Sequence, residues 1–149
     1  MTQKIEKKVF IEAQAAAVWN ALTMPDLIKL WMAEPEIDLQ VSADWKEGSI
    51  ISIKGFHHVE FENKGIVLKV NPEHELRYSY LSSLSQLPDR PDNYSIINFR
   101  LNQSGNSTEV VLTISNFPTE SIFRHVDLYW QATLVILKQV VETSVIQRM

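Results

Sequence analysis

Residues Thr119 to Met149 run without a single Gly or Pro, and that stretch constrains the fold more than any other. Pro118 precedes it, and Thr119 is placed to cap a helix that opens with Glu120 and Ser121. Ile122, Val126, Tyr129, Trp130, Thr133, Leu134, Ile136, Leu137, Val140, Val141 and Val145 recur at steps of three and four. Arg124, Asp127, Gln131, Lys138 and Glu142 fall on the opposite side. The pattern predicts an amphipathic helix with a wide apolar stripe. About 27 helical residues span roughly 40 Å, the width of a small domain. The rest of the chain has to supply a broad apolar surface to cover that stripe.

The remaining segments supply it as strands. Lys4 to Glu12 alternates Ile5, Val9 and Ile11 with charged positions and reads as a first strand. Ala13 to Thr23 is helical by propensity, with Ala15, Val18, Trp19 and Leu22 on one face. Pro25 starts a second short helix to Met32, with Leu27, Leu30 and Trp31 as its apolar side. Strand signals then follow over Ile37 to Val41, Ser49 to Lys54, Val59 to Val70, Glu75 to Leu81, Tyr94 to Leu101 and Thr108 to Ser115. Gly55 is read as closing the second of these and Gly65 as a bulge within the third. Ser82 to Asn93 is a polar loop long enough to act as a mobile lip. Gly105-Asn106 marks a hairpin turn. Strands joined by short turns pair antiparallel. The expected architecture is therefore α+β: a curved antiparallel sheet of about seven strands wrapped around the long C-terminal helix, with two short helices after the first strand.

At 149 residues the chain fits one domain, residues 1–149, able to bury roughly two-thirds of its unfolded surface without covalent staples. A net charge of −4 argues against a general nucleic-acid binder, which needs a basic face. No apolar run reaches the length of a membrane span, and the N-terminal residues lack the apolar core of a signal peptide. The absence of Cys removes disulfides, thiolate nucleophiles and sulfur-based metal sites. The expected location is the cytoplasm.

Three stretches together resemble a known family. They are KKVFIEAQAAAVWNALTMPDLIKLW, with Trp19, Leu22, Pro25 and Trp31; GIVLKVNPEHELRYSY, with Gly65, Val67, Pro72 and Leu76; and DLYWQATLVILKQVVE, with Trp130, Leu134, Leu137 and Lys138. In this order they resemble the homologues of the activator of heat-shock-protein-90 ATPase, within the START-like, or SRPBCC, superfamily. The resemblance implies a helix-grip fold with a cavity between sheet and helix. In the superfamily that cavity holds lipids, sterols, polyketides or other hydrophobic molecules, and some members are cyclases, hydrolases or chaperone contacts. The chain shows no counterpart of the eukaryotic activator's separate N-terminal domain with its Asn-Asn-Trp-His-Trp type motif.

Aromatic residues are the natural lining of such a cavity, because they offer apolar area with an occasional hydroxyl or indole handle. Trp19, Trp31, Trp45, Tyr78, Tyr80, Phe99, Tyr129 and Trp130 make up this set; each taken singly is better read as core, and the group as a cavity wall in a family built around one. The residues expected to line the cavity are Trp31, Ile53, Tyr78, Tyr80, Ile97, Phe99, Leu112, Ile114, Tyr129, Trp130 and Leu134. Strand alternation puts His58, Glu60 and Glu62 on one face, and a His with two carboxylates is a divalent-metal donor set. A solvent-facing strand has the same pattern, and no second His lies at ligand spacing, so no metal and no cofactor are assigned. Without a Cys or a Gly-x-Ser-x-Gly elbow, no catalytic residue is assigned either. The first reading is a binding protein for a small hydrophobic ligand. The alternatives are an enzyme of cyclase or hydrolase type using the same cavity, and a chaperone-associated adaptor.

Overall fold

The computed structural model describes residues 3–148, with side chains described up to residue 143, so Val145 of the apolar stripe lies outside the described side chains. The seven strands are β1 (Lys4–Ile11), β2 (Gln40–Ala43), β3 (Ile50–His57), β4 (Val59–Asn71), β5 (Glu75–Ser82), β6 (Ser95–Ser104) and β7 (Ser107–Ser115). The helices are α1 (Ala15–Thr23), α2 (Pro25–Trp31) and α3 (Glu120–Arg148). All strand pairs are antiparallel, in the order β1-β7-β6-β5-β4-β3-β2. The sheet closes on α3, which also packs against α1 and α2, in the helix-grip arrangement.

Period-two alternation decides which side chains meet the helix. One inward row crosses five strands through Val67, Tyr78, Ile97, Ile114 and Ile5, each opposite the next. The adjacent row runs Leu76, Phe99, Leu112. Facing them, α3 buries Val126, Trp130, Thr133, Leu134, Leu137 and Val141. The helix starts as its cap predicts: Thr119 Oγ1 accepts from the Ile122 amide at 3.1 Å. At α1 the cap comes from across the fold, where Gln103 Oε1 accepts from the Ala15 amide at 2.8 Å.

Several local expectations are corrected. Asp127, Lys138 and Glu142 do not face open solvent opposite the stripe but sit on the flank of α3 that meets β1. Asp127 pairs with Lys7 at 2.8 Å, Lys138 donates to the Phe10 carbonyl, and Glu142 accepts from the Glu12 amide. Ile136 and Leu30 are exposed, and Ile28 takes the inward place on α2 beside Trp31. Ile37 belongs to a 3-10 turn, Pro35–Ile37, and β2 begins only at Gln40; Pro35 starts that turn and Asp38 ends it in the left-handed region at φ 50°. β3 continues through Gly55 to His57. Gly55 is required there because Phe61, Ile37 and Leu39 close over it. The register slip in β4 falls between Val67 and Lys69, which turns Lys69 outward and brings Val70 opposite Leu76. Gly65 instead marks a close approach to the backbone of β5.

Candidate functional site

The aromatic residues converge at the meeting of α2, α3 and the inner sheet face. Trp31 and Trp130 have ring centroids 6.0 Å apart, Phe99 meets Trp130 edge-on at 5.7 Å, and Tyr129 meets it at 5.3 Å. Trp45 sits edge-on to Tyr78 at 6.1 Å. Such tilted and edge-on pairs are the preferred aromatic geometries. The polar handles are tied to the ends of the short helices. Trp31 Nε1 donates to the Ala21 carbonyl at 2.8 Å, and Trp45 Nε1 donates to the Thr23 carbonyl at 2.6 Å. The Tyr129 hydroxyl donates to the carbonyl of Met32, the C-cap of α2. Trp45 holds a left-handed backbone at φ 56°, which costs a non-glycine residue about 1–2 kcal/mol. Its indole hydrogen bond and its contact with Tyr78 hold it in that conformation.

The residues expected to line a cavity occupy this region. Trp31, Ile53, Tyr78, Ile97, Phe99, Leu112, Ile114, Trp130 and Leu134 are buried, and Tyr80 and Tyr129 are half-buried against the same core. They pack on one another. A cleft of about 540 Å³ opens at one end of the grip, between the 3-10 turn and the β3–β4 hairpin, with Ile37, Gly55 and Phe61 among its walls and Glu36, Asp38 and Lys54 at its polar side. Ile37 and Phe61 also pack against the core, so they stand between the cleft and the interior.

The phenols give the interior its polarity. Burial pushes the Tyr78 hydroxyl far above its ordinary titration range, and the neighbouring Tyr129 and Tyr80 phenols push it further. Tyr129 moves the same way through burial, with the Thr133 hydroxyl pulling against it and Tyr80 adding to it. Burial pushes Tyr80 up to about 12. All three phenols are neutral near pH 7, as an exposed phenol is, and burial carries that neutral form to higher pH. Among the described residues no buried side chain is charged; the buried polar ones are Ser79, Ser95, Thr108 and Thr133.

One residue of the interior was not anticipated. Asn63 lies opposite Ile53 on β3 and Ser82 on β5, on the face that carries Phe61 and Val67. Its Oδ1 is buried and has no hydrogen-bond partner. An orphaned buried acceptor costs about 1–3 kcal/mol. The available signal was a polar side chain at the inward parity of an otherwise apolar strand face.

His58 lies in the β3–β4 turn at φ 65°, not within the strand, so it does not continue the face of Glu60 and Glu62. Its ring stacks on His57 at 4.7 Å on the exposed hairpin, and Glu62 accepts from the Ser52 hydroxyl at 2.5 Å. No group of three potential metal ligands occurs among the described residues. The polar loop after β5 is tied down at both ends. Lys64 pairs with Asp89 at 2.7 Å, Tyr94 donates to Asp89 at 2.6 Å, and Asn116 Nδ2 donates to the carbonyls of Asp92 and Tyr94. No helix among the described residues is long and apolar enough to cross a membrane.

Comparison with known proteins sets this geometry in a family. Residues 12–142 match the family described as Activator of Hsp90 ATPase homolog 1-like protein. A comparison with curated proteins finds no match. Among solved structures, ChR145 from Cytophaga hutchinsonii is 35% identical, with 97% of each chain covered and a TM-score of 0.79. The Aha1 dimer from Colwellia psychrerythraea is 24% identical over 94% of this chain and 96% of that one, with a TM-score of 0.74. DynU16, a protein in the dynemicin biosynthetic locus, is 18% identical over 95% of this chain and 48% of that one, with a TM-score of 0.72. The latter two likenesses concern the fold alone. The family match over most of the length, together with the sheet gripping α3, establishes that the chain belongs to the Activator of Hsp90 ATPase homolog 1-like family.

Proposed function

We propose that this protein binds a small, neutral, hydrophobic molecule between the sheet and the first half of α3, with Trp31, Ile53, Tyr78, Tyr80, Ile97, Phe99, Leu112, Ile114, Tyr129, Trp130 and Leu134 as the surrounding wall. The observation that carries this reading is the convergence of three phenols, the buried Tyr78 and the half-buried Tyr80 and Tyr129, inside a core with no buried charge among the described residues. Apolar walls with a few placed hydroxyls are what a small-molecule site requires. In this reading the ligand enters by the cleft walled by Ile37, Gly55 and Phe61. That a protein of the same fold belongs to a biosynthetic locus fits this reading.

Binding is favoured over catalysis by the same groups. A general acid or base works best with a pKa near the operating pH. The buried phenols are shifted upward, away from neutrality. They can orient a ligand but not exchange its protons readily. Native mass spectrometry of the protein purified from its own host tests the reading. The expected result is a small-molecule adduct that is lost on denaturation. Refusal of both lipid-like and aromatic compound libraries by the folded protein overturns it.

A further inference from the structure

Asn63 Oδ1 is a buried acceptor without a partner, on the inner face of the sheet. It lies opposite Ser82, so Tyr80, two residues back along β5, is its diagonal neighbour on the same face. Diagonal pairs of this kind lie about 7–8 Å apart between backbones, within reach of an aromatic ring and of one bridging group. The Ser82 hydroxyl oxygen accepts from the Leu84 amide at 3.2 Å, and no donor, Ser82 included, is hydrogen-bonded to Asn63 Oδ1. Asn63 thus presents an acceptor, and the Tyr80 phenol is its diagonal neighbour on the same face. Phe61, two residues before Asn63 on the same face, forms part of the cleft wall.

We propose that Asn63 and Tyr80 are specificity-determining residues that select a neutral, hydroxyl-bearing aromatic ligand over a hydrocarbon or a carboxylate. The inference rests on the binding function proposed above. A ligand hydroxyl donates to Asn63 Oδ1 and accepts from the Tyr80 hydroxyl, satisfying both in one contact. A flat hydrocarbon leaves the acceptor orphaned, and a site built to hydrogen-bond a hydroxyl discriminates against the analogue that lacks it. A carboxylate meets no buried cation, because none of the buried side chains is charged. The aromatic edges of Tyr78, Trp45, Trp31 and Trp130 suit a planar ring better than a flexible chain.

Calorimetric titration with three probes of one shape, 2-naphthol, naphthalene and 2-naphthoate, tests the assignment at pH 7. The wild type should bind 2-naphthol at least about tenfold more tightly than naphthalene and reject 2-naphthoate. Asn63→Leu removes the orphan at similar volume, so it should melt no lower than wild type and lose most of the naphthol preference. Tyr80→Phe, which deletes only the hydroxyl, should reduce that preference in the same direction and serves if Asn63→Leu fails to fold. Equal affinity for 2-naphthol and naphthalene in the wild type, or an unchanged ratio in the variants, overturns the Asn63–Tyr80 assignment while leaving a general hydrophobic site intact. Failure of all three probes to bind overturns the site and the assignment together.

Discussion

A β-carbon at position 65 would lie 1.7 Å from the Ser79 carbonyl oxygen, closer than any real contact. The obstruction is backbone, so no side-chain rotation relieves it. Gly65→Ala should therefore cost about 3 kcal/mol or more in chemical denaturation. Gly55→Ala, which meets only the ends of the Phe61, Ile37 and Leu39 side chains, should cost less. The phenols give a second prediction at this scale. Tyr78, Tyr80, Tyr94 and Tyr129 all have pKa values raised by burial. In the unfolded chain they titrate near 10. Below that pH both states are protonated and the phenols impose no pH dependence. As pH rises through 10, the unfolded state ionises first, so folding weakens progressively until the native phenols also titrate, near 12 for Tyr80. Phenolate absorbance should stay low in the native protein past pH 10 and then appear with cooperative unfolding. Gradual ionisation of the phenols around pH 10 in a still-folded protein contradicts their burial. Which residues point inward was legible from alternation. That Asn63 lacks a partner was not, because that depends on distances across three strands.

At the scale of elements, α3 separates two kinds of apolar residue. Leu137 and Val141 are fully covered, whereas Leu128, Val135 and Ile136 lie on its outer side and are exposed. Leu137→Ala should cost about 2–5 kcal/mol by cavity formation. Leu128→Lys should change stability by no more than about 0.5 kcal/mol, since it removes no buried contact. Thermal or urea melts of the two variants check the contrast. The helix, its Thr119 cap and the strand order were readable because period 3.6 and period 2 are local signals. The inward edge of the helix was readable only in part. Three and four-residue steps cannot say how far around the cylinder the sheet reaches, and Ile136 fell just beyond it. The start of β2 and the extension of β3 through Gly55 were illegible for a related reason. Pro35 and Gly55 read locally as breakers, yet the packing of Ile37 and Leu39 against Phe61 determines where each element ends.

For the whole molecule, the sheet and α3 form one apolar enclosure whose polar features near the aromatic cluster, among the described residues, are hydroxyl groups, indole N–H groups and the Asn63 amide. Family membership accounts for the fold of that enclosure, and the proposed ligand rests on its side chains. That the proposed wall residues would point inward was legible, since they are large apolar residues at inward positions. How tightly the wall closes is a property of the assembled core, set by the mutual packing of Trp31, Phe99 and Trp130. The central claim is that a small neutral aromatic molecule enters between sheet and helix. Nuclear magnetic resonance titration with 2-naphthol, following the indole N–H signals of Trp31, Trp45 and Trp130, tests it most directly. Saturable shifts of these three signals, with the fold retained, are the predicted result. Signals that stay in place while 2-naphthol is raised to its solubility limit, or shifts that never saturate, contradict it.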